Sequence, residues 1–220
     1  MTLIKEVGYL LSKEFHLEWR RKYALSGILL YVLSTVFIIY TIIGEKAGAV
    51  VWAALFWIIV LFASVNAVAK SFSQENQDRQ LYYYTLCSPA SIVIAKITYN
   101  SVLLFFISIL SYLFFGLIMD NPIKFQALYF LILFLGAISF SISMTFISSI
   151  SSKANQNATL MAILSFPILI PIIMTLLRLT KIALGLMVDT EYYKDIFILL
   201  SLDLILISLV MILFPFLWKD

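Results

Sequence analysis

The chain has 220 residues, of which 63% are hydrophobic and only 12% are charged. About a quarter of the residues of a soluble domain are charged, so this composition predicts an integral membrane protein. The formal net charge of +3 is too small an excess to indicate nucleic-acid binding. A single cysteine excludes an internal disulfide, and a single histidine excludes a metal site built from several histidines.

The N-terminal segment, residues 3–22, has the pattern of an amphipathic helix at the membrane interface. Its apolar residues recur at spacings of three and four, and most of its charged residues fall on other faces. The apolar positions are Ile4, Val7, Leu11, Phe15 and Trp19. No cleavage site precedes the first long apolar run, which predicts that the segment is retained and is not a signal peptide. The alternative is an ordinary charged anchor for the first span.

Six apolar stretches are long enough to cross a bilayer, whose hydrocarbon core needs about 20 residues of helix. They cover residues 24–43, 49–69, 97–119, 125–150, 158–177 and 197–217. An even number of spans places both termini on one side. Ten of the 15 lysines and arginines lie on that side, and these residues are enriched in cytoplasmic loops. We therefore predict that both termini, and the connection between the second and third spans, are cytoplasmic.

The connection between the second and third spans, residues 70–96, concentrates polar groups that most other segments lack. Residues 71–80 hold nine polar or charged side chains in ten, and residues 81–86 then change mainly to bulky apolar and tyrosine side chains. This pattern predicts a short amphipathic helix across the ends of two spans, where it would dock against a soluble motor subunit. The alternative is a solvated loop that contacts nothing.

Two features of the spans indicate close packing or movement. The fourth span ends in a serine-rich run, which favours helix packing over a polar path. The serines are Ser139, Ser141, Ser143, Ser148, Ser149, Ser151 and Ser152. The fifth span contains Pro167 and Pro171, each of which removes a backbone hydrogen bond and can kink a helix. The pair predicts either a static kink or a hinge.

An ionisable residue, Asp203, lies within the last apolar span. Such a residue is by default a functional-site hypothesis, because a charge inside the bilayer is costly. The alternative is that Asp203 lies near the outer end and is satisfied by Arg178, Lys181 or Ser201. The preceding outer segment, residues 178–196, mixes apolar and polar residues and predicts short helices that dip into the outer leaflet.

The sequence lacks the motifs of covalent chemistry. It contains no G-x-x-x-x-G-K-[ST] phosphate-binding loop, no metal-ligand cluster and no Ser/His/Asp set. We therefore expect no enzyme activity, no metal site and no bound cofactor in this chain. Energy for transport would come from an ion gradient or from another subunit, and the scarcity of ionisable residues in the spans favours another subunit.

Two motifs carry a resemblance to a known family. The first is Phe72-x-x-Glu75-x-x-Asp78-Arg79-Gln80-Leu81, followed by Ser88-Pro89 and Ala95-Lys96, and the second is Leu164-x-x-Pro167-x-x-x-Pro171. Both are similar to stretches of the haem exporter protein B (CcmB) family, and the resemblance covers essentially all 220 residues. Three departures stand in the first motif. Arg79 replaces the usual glycine, the tyrosines after Leu81 replace an acidic residue, and the spacing to Pro89 is one residue longer.

The resemblance implies an all-α ABC-2 exporter subunit: one permease domain over residues 1–220, with a leading interfacial helix, six transmembrane helices and a cytoplasmic coupling helix. It implies two copies in the inner membrane, a CcmA-like ATPase subunit that binds ATP, CcmC-like and CcmD-like membrane subunits, and haem as the substrate. The implied ATPase-coupling residues are Phe72, Glu75, Asp78, Arg79, Gln80, Leu81, Tyr82, Tyr83, Leu86 and Pro89. The third and fifth spans would carry the movement outward.

Two other functions remain open on the residues themselves. One is an ABC-2 permease for another substrate, such as a lipid, a glycan or a drug. The other is a scaffold with no transport path, whose coupled ATPase releases a haem-loaded chaperone. No span carries a polar stripe or a histidine that would mark a route for haem. A wide polar cavity between two copies would favour transport, and a tightly packed apolar seam would favour the scaffold.

Overall fold

The computed structural model describes residues 3–20, 22–44, 48–68, 87–153, 158–187 and 192–217. In that part of the chain it contains seven helices and no strand. The helices are α1 (Leu3–Arg20), α2 (Lys22–Ile43), α3 (Ala49–Val68), α4 (Pro89–Ile118), α5 (Gln126–Lys153), α6 (Ala158–Ala183) and α7 (Tyr192–Leu217). Each of the six helices α2 to α7 contains a stretch long and apolar enough to cross a membrane. The predicted fold class, an all-α membrane protein with six spans behind a leading helix, is confirmed.

Helix α5 is the centre of the bundle. It packs against α3, α4, α6 and α7, and most of its side chains are buried, unlike those of the outer helices. Small hydroxyl residues on α5 allow neighbouring helices to approach closely. Those that are buried are Ser139, Ser141, Ser143, Thr145, Ser148, Ser149 and Ser151. The packing role predicted for the serine-rich run is therefore confirmed for these side chains.

Aromatic rings fill the space between α3, α4 and α5. Trp52 stacks on Phe56 with ring centroids 5.5 Å apart, and it meets Phe115 of α4 edge-on at 5.4 Å. The ring centroids of Tyr112 on α4 and Tyr129 on α5 lie 5.1 Å apart. Aromatic pairs in these offset and edge-on arrangements add stability beyond the area they bury. The interior of the bundle is therefore a packed aromatic core.

A close contact between α3 and α5 depends on a glycine. Trp57 of α3 lies against Gly136 of α5, and a Cβ at Gly136 would be only 2.7 Å from Trp57 Cη2. The indole is held in place because its Nε1 donates a hydrogen bond of 2.9 Å to Thr180 Oγ1 on α6. Gly136 thus lets α3, α5 and α6 meet at one level of the bundle.

The outward faces of the outer helices are apolar. Phe37 and Ile42 of α2, Phe166 of α6 and Phe216 of α7 are all exposed. Contiguous exposed apolar surface is unusual for a soluble monomer and marks contact with lipid or with another chain. The side surface of the bundle is therefore suited to the hydrocarbon region of a membrane.

Three helices, α4, α6 and α7, extend by several residues beyond the predicted spans. Helix α4 begins at Pro89 rather than at residue 97, and α6 continues to Ala183. Gly185, two residues after the end of α6, has a left-handed φ of 70°. Hydrogen bonds from Gly185 N to Ile182 O and from Leu186 N to Lys181 O close the helix end. This is the usual glycine-terminated helix end. Since α7 begins at Tyr192, the short dipping helices expected over residues 178–196 are replaced, among the described residues, by the ends of two long helices.

Candidate functional site

Most of the predicted coupling residues lie outside the part of the chain that the structure describes. Phe72, Glu75, Asp78, Arg79, Gln80, Leu81, Tyr82, Tyr83 and Leu86 all fall within residues 69–86. The structure describes the chain again from Cys87 onward and places Pro89 in the first turn of α4. The contact of these ten residues with a motor subunit stays a prediction. The described residues define the helix end at which the coupling segment terminates.

That helix end is capped by local side chains. Ser88 is the N-cap of α4 in an extended conformation, and its Oγ accepts a hydrogen bond of 3.3 Å from Ser91 N. Pro89 follows in the first turn, where its missing N–H costs nothing. The Ser-Pro-x-Ser sequence therefore fixes the start of α4 firmly.

Glu6 of α1, which precedes Ser88 by 82 residues, reaches the same helix end. Its Oε2 accepts hydrogen bonds from Ser88 N at 3.1 Å, from Ser88 Oγ at 3.1 Å and from Ser91 Oγ at 2.7 Å. A helix N-terminus favours negative charge, because its first N–H groups are unpaired. The hydrogen bond from the Ser91 hydroxyl, followed by that from the Ser88 N–H, lowers the pKa of Glu6. Glu6 is therefore a carboxylate at neutral pH that joins α1 to α4.

A second polar contact joins the two helices further along. Lys96 Nζ lies 3.6 Å from Glu14 Oε1, and the Lys96 side chain is only 3% exposed. The ring of Phe15 meets that of Tyr99 edge-on, with centroids 5.3 Å apart. A buried lysine needs a partner of opposite charge, because its ammonium has left water. Glu14 supplies that charge from α1.

An apolar contact lies between these two polar ones. Leu10 of α1 is buried against Ile92 and Ala95 of α4, and Cys87 packs at the edge of this cluster. Burial raises the pKa of the Cys87 thiol, and the charge of Glu6 raises it further. Cys87 is therefore mainly a protonated thiol at neutral pH and not an activated nucleophile, while its partial exposure leaves it accessible to added reagents.

Inside the bundle, hydrogen bonds join α4 to the central helix α5. Asn100 Nδ2 donates to Thr145 Oγ1 at 3.0 Å, and Ser141 Oγ donates to the Ile97 carbonyl at 2.8 Å. Hydrogen bonds between membrane helices add to their association. These two contacts continue directly from the α1 contacts along α4, so the start of α4 is connected to the centre of the bundle.

Asp203 is buried in α7 and is hydrogen-bonded to α5. Ser139 Oγ donates to Asp203 Oδ2 at 2.8 Å, while Asp203 Oδ1 has no hydrogen-bond partner in the part of the chain that the structure describes. The expectation that Arg178, Lys181 or Ser201 satisfies this carboxyl was therefore wrong. The reason is that Asp203 lies on the face of α7 that meets the serine-rich side of α5.

Arg178 forms an ion pair with Asp195 and not with Asp203. Its Nε lies 3.1 Å from Asp195 Oδ2, joining the end of α6 to the start of α7, and the Asp195 side chain is only 6% exposed. Ser201 donates to the carbonyl of Phe197 within its own helix. The pair of Arg178 and Asp195 therefore joins α6 to α7 at this end of the bundle.

The proline pair lies within a continuous helix. Pro167 and Pro171 are both inside α6, and Thr175 Oγ1 donates a hydrogen bond of 2.8 Å to the Pro171 carbonyl. This is a side-chain bond to the carbonyl one turn earlier, and the carbonyls that the two prolines leave without an N–H partner are those of Ile163 and Pro167. The proposed hinge role of the pair stays a prediction.

Several residues of the site were not singled out from the sequence. They are Glu6, Ser91, Asn100 and Thr145. The cap could have been found from the Ser-Pro-x-Ser sequence at the start of an apolar run. The spacing of Glu6, Leu10 and Glu14, four residues apart, also marks one face of α1. Nothing in the sequence says that this face meets α4.

Six apolar helices, of which the central one, α5, is hydrogen-bonded to its neighbours, define a multi-pass membrane protein. Among the described residues, no group of three or more His, Cys, Asp or Glu side chains could hold a metal ion. A family model described as CcmB protein matches residues 5–217, and the chain belongs to the CcmB protein family. It is therefore a membrane transport permease of cytochrome c biogenesis. Comparison with curated proteins and with solved structures gave no match.

Proposed function

We propose that this chain is the membrane permease subunit of an ABC transporter for haem export or delivery in cytochrome c biogenesis, driven by a separate ATPase subunit. The observation that carries the proposal is the family match over residues 5–217. The complex would contain two copies of the chain, a CcmA-like ATPase that binds ATP, and CcmC-like and CcmD-like membrane subunits. It would lie in the inner membrane with both termini of this chain in the cytoplasm.

The proposed coupling begins at residues 70–86 and enters the membrane through α4. A cap stabilises the first turn of a helix. A displacement of the preceding segment should therefore move α4 as a whole and not unwind its first turn. Asn100 and Ser141 then form hydrogen bonds between α4 and α5. Movement of α4 would therefore reach the central helix, and from there α6 with its proline pair, which packs on α5.

The packed aromatic core bears on the route of the substrate. Trp52, Phe56 and Tyr129 are fully buried between α3, α4 and α5, so a substrate the size of haem has no room among them. A transported molecule would pass between two copies of the chain or along the outside of one. The second candidate, a scaffold whose ATPase partner releases a haem-loaded chaperone without transport, needs no path for haem through the chain and so also fits this packed core. Haem uptake by vesicles that contain the purified complex separates the two.

The coupling segment is tested by reversing the charge of Asp78. A charged contact at an interface that loses one partner costs about 2–5 kcal/mol, so Asp78→Lys should abolish co-purification of the ATPase subunit and lower cytochrome c production. The matched control is Asp120→Lys, an identical change at an exposed residue near the end of α4, which should leave both unchanged. Normal co-purification and normal cytochrome c with Asp78→Lys would remove this segment from the proposed role.

The proposed orientation can be tested at Cys87, the single cysteine of the chain. A membrane-impermeant maleimide should label Cys87 in inverted vesicles and not in intact cells. Labelling from outside intact cells would place residues 70–96 on the wrong side for any cytosolic ATPase.

A further inference from the structure

Helix α1 presents three different faces. Glu6 and Leu10 lie on the face that meets α4. Ile4 is 82% exposed on the apolar side expected to meet the membrane. Phe15 lies at the edge of that side, because its side chain is 51% exposed and its ring also contacts Tyr99 of α4. Ser12, which is also exposed, lies on the remaining side. The apolar stripe predicted from the sequence is therefore divided: Val7 and Leu11 pack on the cluster shared with α4, whereas Ile4 is exposed.

The contacts of α1 follow α4 in register. Glu6 meets Ser88 and Ser91, Leu10 meets Ile92 and Ala95, Glu14 meets Lys96, and Phe15 meets Tyr99. The residue numbers rise together in both helices, so the helices run side by side in the same direction over about three turns. Two polar contacts with an apolar contact between them fix both the sliding and the rotation of α1 along α4.

Helix α4 is longer than a membrane span requires, and α1 contacts the end of α4 that is in excess. Helix α4 has 30 residues, about 45 Å at 1.5 Å per residue, whereas the hydrocarbon core is about 30 Å thick. The apolar span predicted from the sequence begins at residue 97, which leaves residues 89–96 as the overhang. This overhang begins where the proposed coupling segment ends, and α1 is fastened to it.

We propose that α1 and the overhang of α4 form one rigid lever that moves as a unit when the ATPase acts, with Glu6 and Glu14 as the positioning residues. This inference rests on the proposed function. A push on residues 70–86 would otherwise act on a single unsupported helix end. With α1 attached, the push acts on two helices that lie side by side, α1 and the start of α4. The alternative is that α1 separates from α4 in each cycle and slides along the membrane surface.

A disulfide between α1 and Cys87 tests the rigid lever. Val7 and Leu11 pack on the same cluster as Cys87, so Val7→Cys or Leu11→Cys should form a disulfide with native Cys87 on mild oxidation. The control is Ile4→Cys, whose side chain is 82% exposed and should not form one. If neither Val7→Cys nor Leu11→Cys forms a disulfide, α1 is not held on α4 and the proposal fails.

The ATPase activity of the oxidised protein shows whether α1 and α4 move together or must separate in each cycle. For a rigid lever, the purified complex in lipid vesicles should keep its coupled ATPase rate after oxidation. If α1 must separate, oxidation should lower that rate and dithiothreitol should restore it, which would overturn the proposal. A wild-type chain that recruits no ATPase would instead refute the proposed function, and disulfide formation would still report whether α1 is held on α4.

The positioning role of Glu14 is tested by rescue. Glu14→Leu removes a charge beside the buried Lys96, and we expect coupled ATPase to fall about fivefold or more, the low end for coupling between distant sites. The ATPase subunit should still co-purify with this variant. That result would show that the variant is folded and that the lower rate comes from lost coupling. Adding Lys96→Met should restore the rate to within about twofold, because an apolar pair can replace a buried ion pair. A double variant as inactive as Glu14→Leu alone, or a fully active Glu14→Leu, would overturn the role of Glu14.

Discussion

The contact between Trp57 and Gly136 gives a prediction that can be worked through from the structure. A Cβ placed on Gly136 would lie 2.7 Å from Trp57 Cη2, 2.9 Å from Trp57 Cζ3 and 3.4 Å from Leu176 Cδ1. The indole cannot easily move away, because Trp57 Nε1 is hydrogen-bonded to Thr180 Oγ1 and its ring meets Phe140 at 6.0 Å. Gly136→Ala therefore forces α3 and α5 apart.

Two opposing effects set how much stability Gly136→Ala loses. Alanine is a better helix former than glycine by about 0.5–1 kcal/mol, and overpacking of a filled core costs about 1–3 kcal/mol. We expect overpacking to win for Gly136→Ala, with a net loss of about 1–2 kcal/mol. Since 1 kcal/mol corresponds to about 2–4 °C for a chain of this length, the apparent Tm of the purified protein should fall by several degrees.

A matched glycine and a second-site change serve as controls. Gly116→Ala in α4 meets nothing closer than Asn121 Nδ2 at 3.9 Å, so this variant should be as stable as the wild type or slightly more stable. Trp57→Phe removes the two ring atoms that clash, so Gly136→Ala should cost less in that background. Thermal unfolding in detergent of the four proteins of this cycle measures the coupling. Additive effects, or a Gly136→Ala variant as stable as Gly116→Ala, would refute the proposed contact.

Two further predictions concern the polar contacts. Ser139→Ala removes the donor to the buried Asp203 carboxyl and should destabilise the protein by about 1 kcal/mol, the usual contribution of a hydrogen bond between membrane helices. Asp203→Asn keeps an acceptor for Ser139 and should lose less stability. Thermal unfolding in detergent ranks the two variants. Glu6→Gln removes the negative charge that helps to raise the pKa of Cys87. The thiolate should then form at lower pH, so the rate of maleimide labelling plotted against pH should shift to lower pH, and an unshifted profile would show that Glu6 does not lie beside Cys87.

The sequence alone determined the class of protein and the number of spans. Hydrocarbon thickness requires about 20 apolar residues for each crossing, and the six stretches that meet this length are the cores of α2 to α7. It also indicated that the serines of α5 serve helix packing, because small hydroxyl residues let helices approach closely and can form hydrogen bonds between them. The family resemblance noted from the two motifs was confirmed over residues 5–217.

What only the tertiary structure decided was how the helices are rotated and which distant residues meet. Composition shows that Asp203 lies in an apolar span, but the rotation of α7 determines that its partner is Ser139 and not Arg178. The pattern of α1 shows an apolar stripe, yet the contact of Glu6 with Ser91 joins residues 85 positions apart. Local spacing sets which residues share a face of a helix. It does not set which other helix that face packs against, because that choice depends on the shape of the whole bundle.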